Sequence, residues 1–248
     1  MAMEVWNLDD GAGRGAPGTS RRSGEGSRAD LAAALLDPDG GAGAELRGHV
    51  PAAPRGVVLV LHGGAEDSLR PVTWWRLPVL RMAPFAGSIA RRGGEDLAVL
   101  RLKNRVRGWN GRRQDPVVDA GWALDRIRSV LPGAPIALVG HSMGGRVALH
   151  LVAHPGVAAV AALAPWIEED AASPRPGTPV LLMHGTRDRM TDPRRTEVIA
   201  RRYARDGADV THVAVEGETH AMLHSASQWH DTVAGFVTGA LVDEGPPS

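Results

Sequence analysis

The chain has 248 residues, and its 28 basic side chains balance 28 acidic ones, so the formal net charge is zero. Hydrophobic residues make up 43% and charged residues 23%, which excludes a collagen-like or wholly disordered chain and fits one folded domain. With no excess positive charge, we expect no nucleic-acid partner and no membrane partner. The absence of cysteine excludes disulfides, thiolate metal sites and cysteine nucleophiles.

No apolar run approaches the roughly 20 residues that cross a bilayer. The N-terminus also lacks a charged region followed by an apolar segment of signal-peptide length. We therefore expect a cytoplasmic protein, and the sequence carries no indication of its oligomeric state.

Residues 1–43 form a Gly- and Arg-rich segment that we predict to be flexible. Residues 9–28 contain almost no large apolar side chains, so burial cannot offset the entropy lost on ordering. The run at 31–36 predicts at most a short helix, because turn residues at 37–41 follow it. We assign residues 44–248 to a folded domain that opens with an outer strand over 44–50.

From Val57 onward, short apolar runs alternate with amphipathic stretches, which is typical of a parallel sheet joined by helices. Because most runs are apolar throughout, we predict an α/β fold with a mostly parallel central sheet and helices on both faces. The predicted strands are Val57–Leu61, Leu97–Leu102, Ile136–Val139, Val157–Leu163, Val180–Met183 and Val210–Val215.

Four helices follow from capping residues and helix-breaking residues. Asp115 and Asp192 are predicted N-caps, each followed by a proline at the first helical position. The first of these helices ends by Pro132 and the second ends at Gly207. The other two helices are predicted over 142–154 and 221–241.

A Gly-His-Ser-Met-Gly motif at 140–144 lies directly between a predicted strand and a predicted helix. This is the context that a nucleophile elbow requires, because a serine held in a strained turn leaves no room for side chains two residues before and after it. Ser142 is therefore the predicted nucleophile.

A serine nucleophile needs a histidine base and an acid that orients the base. Asp188 and His220 each follow a predicted strand at the edge of the sheet that carries Ser142, in the chain order that this fold uses. Asp192 is a rival acid, but its predicted capping role accounts for it. His224 is a rival base, but it falls inside the predicted last helix, so we prefer Asp188 and His220.

Acyl transfer also needs amide donors for the oxyanion. The backbone amide of Met143, directly after the nucleophile, is one predicted donor. The other is Gly64 in the glycine pair after the first strand, with Ala65 as the alternative.

Three further histidines, His62, His141 and His184, lie at or just after strand ends. Three histidines can bind zinc, but histidines beside tight turns more often serve as hydrogen-bonding residues. We therefore expect no metal and no cofactor.

These motifs together resemble those of the α/β-hydrolase superfamily. The resemblance runs from about Val57 to the C-terminus and rests on four segments: LVLHGG at 59–64, VGHSMGG at 139–145, HGTRD at 184–188 and GETH at 217–220. It implies an oxyanion loop, a nucleophile elbow, a triad acid and a triad histidine at these positions. It also identifies residues 44–248 as an α/β-hydrolase catalytic domain.

Two departures from the family pattern refine the prediction. Many relatives insert a helical cap where this chain has only residues 165–179, so we expect a minimal lid or none and an open site. Only two glycines follow His62, which argues against the esterases that carry three. Trp166, Trp74 and Met222 are the predicted substrate-binding residues.

The sequence thus predicts a small serine esterase that cleaves a carboxylic ester of a small-molecule acyl substrate through an acyl-enzyme. Thioesterase, amidase or peptidase, and acyltransferase activities use the same groups and stay open, as does a non-catalytic binding module. The basic stretch at 101–113 is interpreted as a solvated loop, some of whose arginines attract an anionic substrate.

Overall fold

The structure is a computed structural model that describes residues 20–36 and 43–243, with side chains from residue 28 onward. Its centre is a seven-stranded sheet. The strands are β1 Glu45–His49, β2 Gly56–Leu61, β3 Leu97–Lys103, β4 Ile136–His141, β5 Val157–Leu163, β6 Pro179–Gly185 and β7 Asp209–Val215. Their order in the sheet is β1-β3-β2-β4-β5-β6-β7. All neighbouring strands run parallel except β1, which pairs antiparallel with β3 at one edge.

Helices cover the sheet on both faces. The helices are α1 Ser20–Leu36, α2 Leu77–Arg81, α3 Ala83–Gly93, α4 Asp115–Val130, α5 Met143–His150, α6 Pro193–Arg205 and α7 Ala226–Thr238, and a π-helical turn over Gly239–Asp243 follows α7. The α1, α4, α5 and α6 helices pack against one face of the sheet, and α3 and α7 pack against the other.

The central strands form because nearly every residue in them is apolar and can be covered on both sides. All six residues of β2 and of β4 are buried. Leu59 of β2, for example, is paired with Leu100 on one side and Leu138 on the other. The predicted fold class is confirmed, and the predicted strands match the observed ones to within two residues at either end.

Helix boundaries differ more than strand boundaries. Gln114, in the left-handed conformation, occupies the N-cap position of α4, where the sequence predicted Asp115. The Asp115 carboxylate instead accepts hydrogen bonds from Asn110 and Arg113. Asp192 caps α6 as predicted, because its side chain accepts the amide of Arg194 at 2.9 Å.

The remaining helix predictions are corrected in length or number. The α5 helix ends at His150 rather than 154, and α7 begins at Ala226 rather than 221. The α2 and α3 helices between β2 and β3 were not predicted. Pro78 and Pro84 lie in their first turns and were an available signal.

The N-terminal prediction is also corrected. The α1 helix starts at Ser20, well before the short helix predicted at 31–36 and inside the predicted flexible tail. Leu35 is fully buried, and its carbonyl accepts a hydrogen bond from Arg126 of α4. Packing against the domain supplies the stability that the local composition lacks. Residues 1–19 of the predicted tail and the whole of the predicted turn at 37–41 lie outside the described residues.

The loop between β5 and β6, residues 164–178, contains no helix or strand. This segment is the place where the resemblance allowed a cap, so no lid covers the sheet edge there. Among the described residues, the structure has no helix that is long and apolar enough to cross a membrane.

Candidate functional site

Ser142 lies in a strained turn between β4 and α5, with φ 57° and ψ −117°. A Cβ on Gly140 would collide with the carbonyl oxygen of Gly144, and a Cβ on Gly144 would lie 2.5 Å from the carbonyl oxygen of Leu61. Only glycine fits at either position, as the elbow motif predicted. The turn therefore holds the Ser142 side chain above the carboxyl edge of the sheet.

Strained backbone is concentrated at this same edge. Besides Ser142, the described non-glycine residues with positive φ are all in loops that follow β3, β5 or β7. Such strain persists only where surrounding structure enforces it, and it clusters at functional sites. The four residues are Asn110, Gln114, Ala164 and Met222.

Asp188 and His220 are brought together as predicted. The Nδ1 of His220 donates to Oδ2 of Asp188 at 2.7 Å, and both side chains are buried. Burial disfavours the charged carboxylate, but the hydrogen bonds from His184, His220 and the amides of Thr191 and Met190 hold the pKa of Asp188 far below its usual range. Asp188 is therefore a permanent anion behind His220.

A second histidine shares the same carboxylate. The Nε2 of His184 lies 3.1 Å from Oδ2 of Asp188, and the carboxylate can only accept, so His184 donates. Its Nδ1 lies 2.7 Å from the hydroxyl of Thr196, which is fully buried. Thr196 thus keeps the His184 proton on the nitrogen that faces Asp188.

Thr191 also belongs to this cluster, and the sequence analysis missed it. Its hydroxyl lies 2.9 Å from Oδ2 of Asp188 and 3.2 Å from Nδ1 of His220. Its amide donates to the other carboxylate oxygen. No motif marks this position in the sequence, because only the turn after β6 brings the residue back to the acid.

The loop that carries His220 is fixed by buried polar groups. Glu218 is fully buried and accepts the amides of Thr219 and Ser225, each at 2.8 Å. The carbonyl of His220 lies 3.0 Å from Nε2 of His141 and 3.4 Å from Nη1 of Arg81. Glu218 is the second residue of the GETH segment and could have been singled out there.

His220 also lies beside the nucleophile turn. Its ring centroid is 4.7 Å from that of His141, the residue before Ser142. Within the described residues, the Ser142 hydroxyl makes no hydrogen bond, to His220 or to any other group. Contacts between nucleophile and base are often loose before substrate binds, so the arrangement fits a resting site.

The two rival residues take other roles. Asp192 caps α6, while Asp188 holds His220. His224 lies in a loop rather than in a helix, so the reason given for setting it aside was wrong. It is mostly exposed, and its Nδ1 lies 3.2 Å from the Glu218 carboxylate.

The backbone amides of Gly64 and Met143 donate to no acceptor among the described residues. They are the two predicted oxyanion donors. The alternative, Ala65, donates its amide to the carbonyl of Arg107 at 2.9 Å and is therefore occupied. A Cβ on Gly64 would lie 2.5 Å from Sδ of Met143, so the two predicted donor segments touch.

His62 sets the direction of the Gly64 amide. Its Nδ1 lies 2.7 Å from the carbonyl oxygen of Gly63, and its Nε2 accepts the amide of Asn104 at 3.2 Å. Burial lowers the pKa of His62 to about 4, so the ring is neutral and donates through Nδ1. The Gly63 carbonyl and the Gly64 N–H share one planar peptide and point in opposite directions. Holding the carbonyl therefore turns the N–H away from His62.

The described residues contain no group of three or more His, Cys, Asp or Glu side chains placed to hold a metal ion. His62, His141 and His184 each make hydrogen bonds within the loops at the sheet edge.

A cavity of 950 Å³ lies on the α4–α6 side of Ser142. Trp166 and Trp109 line it, and Arg146 lies between them, 3.8 Å from the Trp109 ring centre and 4.4 Å from that of Trp166. Asp170 pairs with Arg146 at 2.8 Å and fixes this stack. The amide of Trp166 donates to the carbonyl of Ser142 at 3.1 Å, so this wall of the cavity is joined to the Ser142 turn.

The structure does not bring the other two predicted substrate residues to this cavity. Trp74 lies at the β1 edge of the sheet, where its Nε1 donates to Glu45 at 2.7 Å and Arg47 covers its ring. Met222 is buried in the core on the α3–α7 side.

Comparisons with known proteins agree with the observed fold. The family model described as "Serine aminopeptidase, S33" matches residues 103–177, which include the turn at Ser142. No curated protein matches the sequence.

Solved structures match across most of the chain. An α/β serine hydrolase without lid from Xanthomonas campestris is 17% identical, with a TM-score of 0.62 over 86% of this chain and 94% of its own. Esterase Est2 from Thermogutta terrifontis is 18% identical, with a TM-score of 0.63 over 82% of this chain and 92% of its own. Esterase Pf2001 from Pyrococcus furiosus is 15% identical, with a TM-score of 0.62 over 80% of this chain and 88% of its own. At these identities the likeness establishes the fold.

Proposed function

Since this chain is an α/β-hydrolase-fold protein without a lid, we propose that it is a serine hydrolase that cleaves a carboxylic ester of a small molecule. The observation that carries the proposal is the hydrogen bond between Asp188 and His220 beside the strained Ser142 turn. Neither a cofactor nor a nucleic-acid or membrane partner enters the proposal.

The proposed reaction begins when Ser142 Oγ attacks the acyl carbon and His220 accepts its proton. Asp188 keeps the His220 proton on Nδ1 and stabilises the imidazolium that forms. The amides of Gly64 and Met143 donate to the tetrahedral oxyanion. His220 then protonates the leaving alcohol, and the same groups activate a water that releases the acid.

Ser142→Ala tests this proposal. Hydrolysis of an aryl acetate should fall by several orders of magnitude, while circular dichroism and thermal unfolding stay those of the wild type. A pure, folded Ser142→Ala protein that hydrolyses the ester at the wild-type rate would contradict the proposal.

A second candidate is cleavage of the amide bond after an N-terminal residue, since the matching family model is described as a serine aminopeptidase. The same groups would act, with an amine as the leaving group. Comparing aryl esters, thioesters and aminoacyl anilides by kcat/KM separates the candidates. A preference for the anilides would replace the ester by the amide.

A further inference from the structure

A second, smaller cavity lies between the Gly63–Gly64 loop, the start of α2 and the loop after β3. Its volume is 110 Å³, and residues 62–65 form one wall. A Cβ on Gly63 would lie 3.3 Å from Cβ of Ser142, so this wall is also the wall of the nucleophile site. Ser142 and the cavity are therefore immediate neighbours along this loop.

Two arginines from separate segments line this cavity. Arg76 precedes α2, and Arg107 belongs to the loop after β3. The other lining groups are small or apolar, namely Val72, Pro78 and Val79. The space therefore suits a short group with one charged end.

The backbone and Nε of Arg107 are held in place. Its amide donates to the carbonyl of Arg70 at 3.1 Å, its carbonyl accepts the amide of Ala65, and its Nε donates to the carbonyl of Pro71 at 3.0 Å. These bonds leave the terminal guanidinium nitrogens available to a ligand. An arginine fixed in this way loses little freedom when it pairs with a carboxylate.

Neither cavity arginine has a carboxylate partner within the described residues, and Arg70 adds a third positive charge nearby. Removal from water and the charges of Arg76 and Arg70 lower the pKa of Arg107. By contrast, Arg105 and Arg113 in the same loop pair with Asp119 and Asp115. The loop thus pairs two of its arginines with carboxylates, whereas Arg107 at the cavity has no carboxylate partner.

We propose that this cavity binds a carboxylate carried by the substrate, between Arg76 and Arg107, so that the preferred esters have an acidic group a few atoms from the scissile carbonyl. The inference rests on the proposed ester hydrolysis at Ser142. Guanidinium groups bind carboxylates through paired hydrogen bonds, and the anion would relieve the repulsion between the arginines.

The experiment compares two substrates of similar shape, the 4-nitrophenyl esters of butyric acid and of succinic acid, the second of which ends in a carboxylate. We expect the succinate-to-butyrate ratio of kcat/KM to fall at least about tenfold in Arg76→Gln and in Arg107→Gln. Arg201→Gln, which removes an exposed arginine on α6 paired with Glu197, should leave the ratio unchanged. Ratios equal to that of the wild type in both cavity variants would overturn the proposal.

A binding measurement separates this proposal from the proposed activity. Calorimetric titration of free succinate into Ser142→Ala protein should show binding that is lost when Arg76→Gln or Arg107→Gln is added. If neither ester is hydrolysed but succinate binds in this pattern, the proposed hydrolysis fails and the anion site stands. If the butyrate ester is hydrolysed, but succinate binding does not depend on the arginines and the kcat/KM ratio does not change, the anion site fails and the proposed hydrolysis stands.

Discussion

The two sides of Ser142 are built in opposite ways. On the Asp188–His220 side, the Asp188 carboxylate already has its hydrogen-bond partners. It accepts hydrogen bonds from two imidazoles and two backbone amides. On the Gly64 side, the amides of Gly64 and Met143 and the terminal guanidinium nitrogens of Arg76 and Arg107 have no hydrogen-bond partner among the described residues. The carboxylate on the first side has its hydrogen-bond partners without a ligand, whereas the donors on the second side would find theirs in a ligand.

This difference separates the groups that are held in one orientation before substrate binds from the groups that bind the substrate. A buried network that is fully satisfied is rigid and holds a proton acceptor in one orientation. Unpartnered donors at a site edge cost little while water reaches them and bind strongly to a negative charge that forms there. Changes on the first side should therefore alter the rate at saturation, and changes on the second should also alter which ester is chosen.

The largest effect is expected for the carboxylate on the Asp188–His220 side. Asp188→Asn removes the charge that stabilises the His220 imidazolium, and kcat should fall by about 10³- to 10⁴-fold. Steady-state hydrolysis of an aryl acetate measures it. Asp192→Ala is the matched control, because it removes a helix cap worth about 1 kcal/mol of stability and should leave kcat within about twofold. Equal losses in both variants would contradict the assignment of Asp188.

A smaller loss is expected at the oxyanion loop. The Cβ of Gly64→Ala would meet Met143 and the carbonyl of Arg107, so the amide must move, and kcat should fall by about 10²-fold. The matched control is Gly121→Ala within α4, where a Cβ meets nothing within 4 Å. That change should raise stability by about 0.5–1 kcal/mol without changing kcat. Full activity in Gly64→Ala would show that its amide is not a donor.

The shared carboxylate gives the next prediction. His184→Ala removes a hydrogen bond to a charged group, worth about 1.5–3 kcal/mol, and kcat should fall by about 10-fold or somewhat more. His184→Gln keeps a donor and should restore part of the rate. Equal losses in His184→Ala and His184→Gln would show that the hydrogen bond donated to Asp188 is not what His184 contributes.

The smallest effect concerns stability. Burial lowers the pKa of His62 from 6.5 to about 4, so the unfolded chain takes up a proton at a higher pH than the folded one. The stabilisation is complete above pH 6.5 and declines as the pH falls towards 4. Between pH 7 and 5, wild-type protein should lose about 2 kcal/mol more of its free energy of unfolding than His62→Asn.

Urea titrations at the two pH values measure this loss, with His154→Asn as the control. Equal losses in wild type and His62→Asn would show that His62 is not held neutral. His141, whose pKa burial lowers to about 3, should contribute to the wild-type loss in the same direction.

The sheet and the pairing of Asp188 with His220 were predictable because they depend on local signals. Apolar runs such as Ile136–Val139 have few alternatives to a covered strand, and glycines 140 and 144 identify the turn at Ser142. Asp188 and His220 follow strand ends, and the parallel sheet brings those ends to one edge.

The rest depends on packing that no short segment reveals. The α1 helix forms against α4 and β1 although its own composition is poor, and Thr191 joins the site through a turn. Trp74 and Met222 are large apolar residues near site segments in the sequence, but the edge strand and the core bind them instead. The cavity arginines, Arg76 and Arg107, are 31 residues apart in the sequence and lie in different loops. Only the fold brings them together.

Labelling with a fluorophosphonate tests the central claim most directly, because such a probe reacts only with a serine that a base activates. Mass spectrometry of peptides from the labelled, folded protein should place one adduct on Ser142. The adduct should be absent from His220→Ala. An adduct on another serine, or none on folded wild-type protein, would contradict the account.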